Sequence, residues 1–142
     1  MAAARDLARS DLADGTPLAP LVGLDHDPGV LAHARRNGTE AGLSEAIHWQ
    51  DGDLSDLKPP SSASDLLVCN PPYGERIGPG EDLATLYGDL GRIVRERFGG
   101  WTLWLLSGNP ELTSSLRLKA SRRIPISNGG IDCRWLKYDI RH

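Results

Sequence analysis

Apolar and polar residues alternate along this chain in blocks that predict strands and helices in turn. Leu21–Leu24 is a short apolar run typical of a strand buried on both faces, and Ile47–Gln50 predicts a second strand. Between them, Asp27 and Pro28 predict a helix start, because aspartate caps free N–H groups and proline has no N–H to lose. Strands and helices in alternation favour an α/β domain with a mostly parallel sheet.

Helical periodicity is clearest in the middle of the chain. Apolar residues at three- and four-residue steps over residues 83–98 predict a helix that the glycines at 99–100 end. An Asn-Pro pair at 109–110 repeats the earlier capping pattern and predicts a short helix. In the first helix, Val30 and Leu31 are expected to belong to the buried apolar stripe.

Four further segments complete the predicted sheet. Asp65–Cys69 is expected to be a third buried strand, and a further strand is predicted at Thr102–Ser107. A fifth strand is predicted near Ser121–Pro125, and the alternating run Ile131–Ile140 follows the turn residues Asn128–Gly130. A turn this short favours antiparallel pairing of the last two strands.

The composition limits the class of protein. The chain has 142 residues, 39% of them hydrophobic and 25% charged, which suffices for one domain with a substantial core. No apolar run approaches a membrane span, and the start of the chain does not resemble a secretory signal. Two cysteines, with no Cys/His cluster at zinc spacing, predict neither a disulfide framework nor a metal site. We expect a soluble cytoplasmic domain, with residues 1–20 as a helical lead-in and loop and residues 21–142 as sheet and helices.

Charge is unevenly distributed along the chain. Residues 1–89 carry 6 basic and 15 acidic side chains, whereas residues 90–142 carry 10 basic and 4 acidic ones. This asymmetry suggests that the two halves meet different partners, or only that their solvated faces differ in sign. The basic residues between Arg117 and Arg123 are candidates for contacts to RNA phosphates, and a plain solvated surface is the alternative.

The strongest chemical signal directly follows the third predicted strand. There, Asn70, Pro71, Pro72 and Tyr73 would lie at the carboxyl edge of the sheet, where open α/β sheets bind ligands. The Asn70 amide oxygen and the Pro71 carbonyl are two adjacent acceptors suited to an –NH2 group, and the Tyr73 ring offers a surface for stacking a base. The alternative is a proline-rich turn with Tyr73 in the core. Cys69, inside the apolar strand, is interpreted as a small buried hydrophobe and not as a nucleophile.

These residues resemble the Asn-Pro-Pro-Tyr motif of S-adenosylmethionine-dependent methyltransferases that modify an exocyclic or amide nitrogen. The longer string over residues 70–76, the segment 97–101 and the turn 128–133 are similar to the guanine-N2 RNA methyltransferases of the large-subunit (23S) rRNA type. The resemblance covers about residues 5–142. It implies a class I methyltransferase (Rossmann-like) fold, a mostly parallel sheet with an antiparallel C-terminal strand.

The resemblance also implies roles for particular residues. Asp25 is similar to the acid that accepts hydrogen bonds from the ribose of S-adenosylmethionine, and His26 would lie near the adenine. Asp53 resembles the acid that accepts from the adenine amino group, with Asp51 as the alternative. Asn70 and the Pro71 carbonyl would hold the N2 amine of guanine, and Tyr73 would stack on the base.

The family's first strand and its glycine-rich loop have no counterpart before residue 21. The resemblance therefore implies the C-terminal part of a methyltransferase domain, in which the missing strand would lie between Leu21–Leu24 and Asp65–Cys69. Those two strands must then pair with each other, accept a strand from another chain, or keep free edges. We expect the isolated chain to bind S-adenosylmethionine weakly or not at all.

Other interpretations remain open at this point. The motif also suits methylation of adenine N6 in DNA or of a protein glutamine. A third interpretation, from a different class, is a non-catalytic folded fragment that associates with itself through exposed sheet edges. The favoured partner is rRNA, with no membrane.

Overall fold

A computed structural model describes residues 20–63, 65–73 and 82–142. Along the chain the elements are β1 (Leu21–Asp25), α1 (Pro28–Glu40), β2 (Ile47–Asp51), a 3-10 turn (Leu54–Asp56), β3 (Leu66–Cys69), α2 (Leu83–Arg97), β4 (Thr102–Ser107), α3 (Pro110–Ser115), β5 (Arg122–Asn128) and β6 (Ile131–Asp139). They form two compact units that divide between Asp53 and Leu54. The helical lead-in predicted over residues 1–20 lies almost wholly outside the described residues, and so does the stretch 74–76 of the resemblance.

The first unit consists of one parallel strand pair and one helix. β1 and β2 run in register from Leu21 opposite Ile47 to Asp25 opposite Asp51. Gly23 is required here, because a Cβ at that position would lie 2.4 Å from the ring of Trp49. The predicted cap is confirmed, since the Asp27 carboxylate accepts hydrogen bonds from the first turn of α1.

The second unit contains a four-stranded sheet in the order β3-β4-β6-β5. β3 pairs with β4 in parallel, and β6 is antiparallel to both β4 and β5. β3, β4 and β5 therefore share one direction, which confirms the predicted mostly parallel sheet with an antiparallel C-terminal strand. Gly129 and Gly130, with φ of 60° and 84°, make the tight β5–β6 turn, a conformation that glycine adopts without steric cost.

The core of the second unit lies between its sheet and α2. On the sheet side Leu103 and Leu105 are fully buried, and on the helix side Tyr87 and Val94 are fully buried. Gly91 of α2 allows close packing against the end of α3, because a Cβ there would lie 2.1 Å from the carbonyl oxygen of Leu116. The predicted periodicity of α2 is thus the core-facing stripe of this helix.

The prediction that the first and third strands are buried on both faces is wrong. Leu21 and Val22 of β1 are 46% and 39% exposed, and Leu66 and Val68 of β3 are 51% and 55% exposed. Strand side chains point to the two faces of a sheet, so this exposure means that no described element covers those faces at these positions. Among the described residues β1 pairs only with β2 and β3 only with β4, so both strands keep free edges, one of the arrangements anticipated from the sequence.

Candidate functional site

Asn70–Tyr73 leave the sheet at the carboxyl end of β3, as predicted. Cys69, the last residue of β3, lies opposite Leu105 in the parallel strand β4, so the residues after both strands share one edge of the sheet. The Asn70 side chain is exposed, and the structure records no hydrogen bond for it within the described residues. Its amide oxygen is thus available to accept a hydrogen bond from a ligand.

Tyr73 is anchored against the end of the neighbouring strand. Its half-buried ring lies on Gly108, where an added Cβ would be 2.9 Å from Cδ2 and 3.0 Å from Cε2. The thiol of Cys133, on β6, donates a hydrogen bond to the Tyr73 hydroxyl at 3.5 Å. The ring is thus held by the end of β4 and by β6, while part of it stays accessible. It is neither fully buried in the core nor fully exposed for stacking, so it lies between the two interpretations made from the sequence.

Cys69 faces the core beneath this motif. Burial raises the pKa of its thiol to about 12, so the thiol is protonated at neutral pH. Burial also raises the pKa of the Tyr87 hydroxyl. The Ser107 side chain acts in the opposite direction, and electrostatic interactions with Cys69 and Tyr73 raise the pKa further. Both groups are neutral around pH 7, which agrees with the interpretation of Cys69 as a packing residue and not a nucleophile.

In the first unit, Asp25 ends β1 and orients the chain that follows. Its Oδ1 accepts a hydrogen bond from the Asp27 N–H at 2.9 Å and lies 3.9 Å from Nδ1 of the exposed His26. Asp27 instead accepts from Gly29 N–H at 2.7 Å and from the next amide, so the capping role belongs to Asp27 alone. Asp25 Oδ2 has no recorded hydrogen bond in the described part of the chain, which leaves it able to accept one.

The acids after β2 lie at the same edge as Asp25. Asp51 is the last strand residue and stands opposite Asp25, while the Gly52 N–H donates to the Asp25 carbonyl at 3.2 Å. Asp53 follows two residues later and is exposed. The structure thus brings Asp25, His26 and Asp53 to one strand edge, and Asp51 remains an alternative to Asp53.

Two contacts of the motif were not anticipated from the sequence. Gly108 could have been found only through the pairing of β3 with β4, which was not predicted from the sequence, because this glycine directly follows β4. Cys133 could not, since it reaches Tyr73 from 60 residues away in the chain. Over residues 20–63, 65–73 and 82–142, no group of three or more His, Cys, Asp or Glu side chains is placed to hold a metal ion.

The basic residues between Arg117 and Arg123 do not form one continuous surface in the structure. Arg117 lies after α3 with a φ of 52°, and Arg122 and Arg123 are neighbours in β5, so their side chains point to opposite faces of the sheet. In the parts of the chain that the structure describes, no helix is long and apolar enough to cross a membrane.

Sequence comparisons place the chain beside RNA-modifying proteins. Residues 3–137 match the family described as RMKL-like, methyltransferase domain. The chain is 43% identical over 122 residues to slr0064 of Synechocystis sp., which covers 86% of this chain and 32% of the relative. It is 40% identical over 124 residues to the ribosomal RNA large subunit methyltransferase K/L of Allochromatium vinosum, 87% of this chain and 17% of the relative. The chain thus spans a third or less of these curated relatives.

Solved structures show a similar fold. SMU.472, solved in complex with SAH, matches with a TM-score of 0.77 and 24% identity over 86% of this chain and 32% of that chain. TrmN from Thermus thermophilus matches with a TM-score of 0.70 and 24% identity, over 94% of this chain and 40% of that chain. At this level of identity the similarity establishes the fold.

Proposed function

Because the chain belongs to the RMKL-like methyltransferase domain family, we propose that it serves methyl transfer to the exocyclic N2 amine of guanine in rRNA. The predicted family and the class I methyltransferase fold are confirmed. The observation that carries the proposal is the exposed Asn70 amide at the carboxyl end of β3, followed three residues later by a Tyr73 ring held on Gly108. We further propose a cytoplasmic location and the use of S-adenosylmethionine, whose demethylated product SAH is bound in SMU.472.

The residues at the end of β3 are suited to orient an amine. The Asn70 amide oxygen and the Pro71 carbonyl would each accept one N–H bond of the guanine amine, while Tyr73 stacks on the base. Holding both hydrogens directs the nitrogen lone pair away from the two acceptors and favours the pyramidal geometry of the transition state. The amine proton is then lost to water, so positioning and electrostatics act without a strong base.

The first unit offers acceptors that fit the cofactor. S-adenosylmethionine, when bound, supplies an electrophilic methyl group on a cationic sulfur. Asp25, with Oδ2 able to accept, would hold the ribose hydroxyls, and His26 would lie near the adenine. Asp53 would accept from the adenine amino group, with Asp51 as the alternative. The fit consists of acceptors at the carboxyl edge of parallel strands, where α/β folds bind nucleotides.

A chimera tests this activity in a complete protein. Residues of this chain would replace the matched segment of Synechocystis slr0064, and nucleosides from treated rRNA would be analysed by mass spectrometry. We expect N2-methylguanine, and Asn70→Ala should lower its formation by about 100-fold or more, as when one oriented hydrogen-bond partner is removed.

The matched control is Asn37→Ala, which removes an exposed asparagine from α1 and should leave turnover unchanged. Near-normal turnover of Asn70→Ala would refute the role of that amide. If the chimera formed N6-methyladenine in DNA or N5-methylglutamine in protein instead, the substrate proposal would be wrong while the role of Asn70 would stand.

A second candidate is a non-catalytic role in self-association, favoured by the exposed edges of β1 and β3. Leu66 and Val68 present apolar side chains on an edge strand, which is a template for pairing with another chain. Light scattering that shows a clean monomer with cooperative melting would count against it. Calorimetry tests the linked proposal that the 142-residue chain alone binds S-adenosylmethionine weakly, which a low-micromolar Kd would overturn.

A further inference from the structure

A groove in the second unit adjoins the Asn-Pro-Pro-Tyr motif and has no role in the mechanism above. It has a volume of about 880 Å³ and lies between α3 and the β5–β6 hairpin. This volume is in the range of pockets that bind a small organic ligand or a cofactor. Its polar lining includes Ser107, Asn109, Ser114, Arg123, Ser127 and Arg134.

The groove begins at the sheet edge that carries the motif. Ser107 and Asn109, at the end of β4, form one side, and Cys133 of β6 forms part of the other. The same Cys133 thiol donates to the Tyr73 hydroxyl, so the wall of the groove is also the support of the Tyr73 ring. A polymer with one unit at Tyr73 could therefore continue directly into the groove.

Two arginines face the groove from adjacent strands. Arg123 pairs with Leu136 and Arg134 pairs with Pro125, which makes the two arginines diagonal neighbours on one face of the hairpin. Both are exposed, and the structure records no salt bridge for either within its described residues. Asp132, near the hairpin tip opposite Ser127, is the one acidic lining residue recorded.

As diagonal neighbours on one face, the two arginines concentrate positive charge at a place where a phosphate group would be stabilised. The groove also combines hydroxyl groups with apolar residues such as Leu118 and Ile126, a mixed lining that suits the sugar and base of a nucleotide as well as its phosphate. Arg122, on the opposite face of β5, cannot contribute to this site.

We propose that this groove holds the RNA strand next to the target nucleotide, with Arg123 and Arg134 each contacting a phosphate. The proposal rests on the proposed function for the identity of the polymer, and it adds the surface that positions the substrate. Among the basic residues of the segment 90–142, the proposal assigns the phosphate contacts of this site to Arg123 and Arg134.

Fluorescence anisotropy of the 142-residue chain with a short labelled single-stranded RNA tests the proposal. For single-stranded nucleic acid, the logarithm of the binding constant falls with the logarithm of the salt concentration, with a slope of about −0.7 for each phosphate contact. Losing two contacts should therefore make this slope less negative by about 1.4 and weaken binding about 25-fold near 0.1 M salt. The test variant is Arg123→Gln with Arg134→Gln. The control is Arg122→Gln with Arg141→Gln, which removes the same charge from the opposite face and from beyond the end of β6.

Selective weakening in the test variant supports the groove. Equal weakening in both variants, no weakening, or no RNA binding by the unsubstituted chain at low salt would overturn it. Hydrogen exchange on the unsubstituted chain gives a second readout, because RNA should protect residues 107–109 and 123–134, and protection elsewhere alone contradicts the site. The two proposals can fail separately. If the test variant lost RNA binding selectively but the chimera formed no N2-methylguanine, the proposed function would be refuted and the RNA-binding groove would still be supported.

Discussion

The two compact units differ sharply in how much of their apolar surface they bury. From Leu54 onward, Tyr87, Phe98, Leu103 and Leu105 are 1% exposed or less. In the described part of the first unit, Leu31 is the one large apolar side chain that is buried. One unit therefore has a core of its own, and the other is a strand pair with a helix laid on it.

This difference separates the two parts of the candidate chemistry. The proposed substrate-binding residues Asn70, Pro71 and Tyr73 stand at the edge of the well-packed sheet, whereas the proposed cofactor acids Asp25 and Asp53 stand at the edge of the thinly packed one. Binding groups are precise when packing fixes their supports. We infer that the support of Tyr73 is the better preorganised of the two, because fewer buried side chains hold the strand ends that carry Asp25 and Asp53.

The largest expected effect is on stability, when a buried leucine in the core is replaced by alanine. Leu103→Ala should lower the free energy of unfolding of the second unit by roughly 2–5 kcal/mol, because it leaves a cavity among fully buried side chains. Leu31→Ala should instead increase hydrogen exchange within residues 20–53 and leave the second unit unchanged. Urea unfolding followed by residue-resolved hydrogen exchange measures both. If either variant loosened both units equally, the division into units of different stability would be wrong.

Features set by local rules were predictable from the sequence. The caps at Asp27 and Asn109 and the turn at Gly129–Gly130 are confirmed, because each depends on a few adjacent residues. The apolar run of β4 is a strand with the predicted bounds, and it is central in its sheet.

Features set by distant neighbours were not predictable. Leu66 is exposed because no element in the described residues covers the face of β3 that carries it. An apolar run in the sequence cannot show which elements will pack on a strand or beside it. Val30 is 48% exposed although it was expected in the buried stripe, since so small a sheet leaves part of α1 uncovered. In the site, the positions of Asn70 and Asp25 followed from strand ends, but the support of Tyr73 by Cys133 depends on tertiary packing.

Alkaline pH should act on the second unit specifically. Burial raises the pKa of Tyr138 to about 12 against the opposing charge of Arg123, and no tyrosine lies in residues 20–53. Because the folded state holds this proton more tightly, the associated stability is complete below pH 10 and is lost as the pH rises to about 12, a loss on the order of 2 to 3 kcal/mol. Urea unfolding across this range measures it.

Tyr138→Phe is the control, and it should remove part of this pH dependence. The buried Cys69 thiol and the Tyr87 hydroxyl, whose pKa values burial also raises, contribute the rest. An equally steep alkaline loss in that variant would assign the effect to other groups. Arg123→Gln should shift the absorbance titration of Tyr138 to still higher pH, because the arginine favours the phenolate.

The smallest predicted effect separates helix capping from ligand binding at the end of β1. Asp27→Ala should destabilise α1 by about 1 kcal/mol, since Gly29 and Val30 lose the acceptor of their N–H groups, and Asp27→Asn should be nearly neutral because asparagine caps equally well. Hydrogen exchange at those two amides is the measurement. Asp25→Asn should leave their exchange unchanged and weaken cofactor binding in the chimera, because the carboxamide accepts hydrogen bonds through one atom instead of two. A variant at Asp25 that loosened α1 as much as Asp27→Ala would mean that both aspartates serve the helix, and the case for Asp25 as a ligand would be lost.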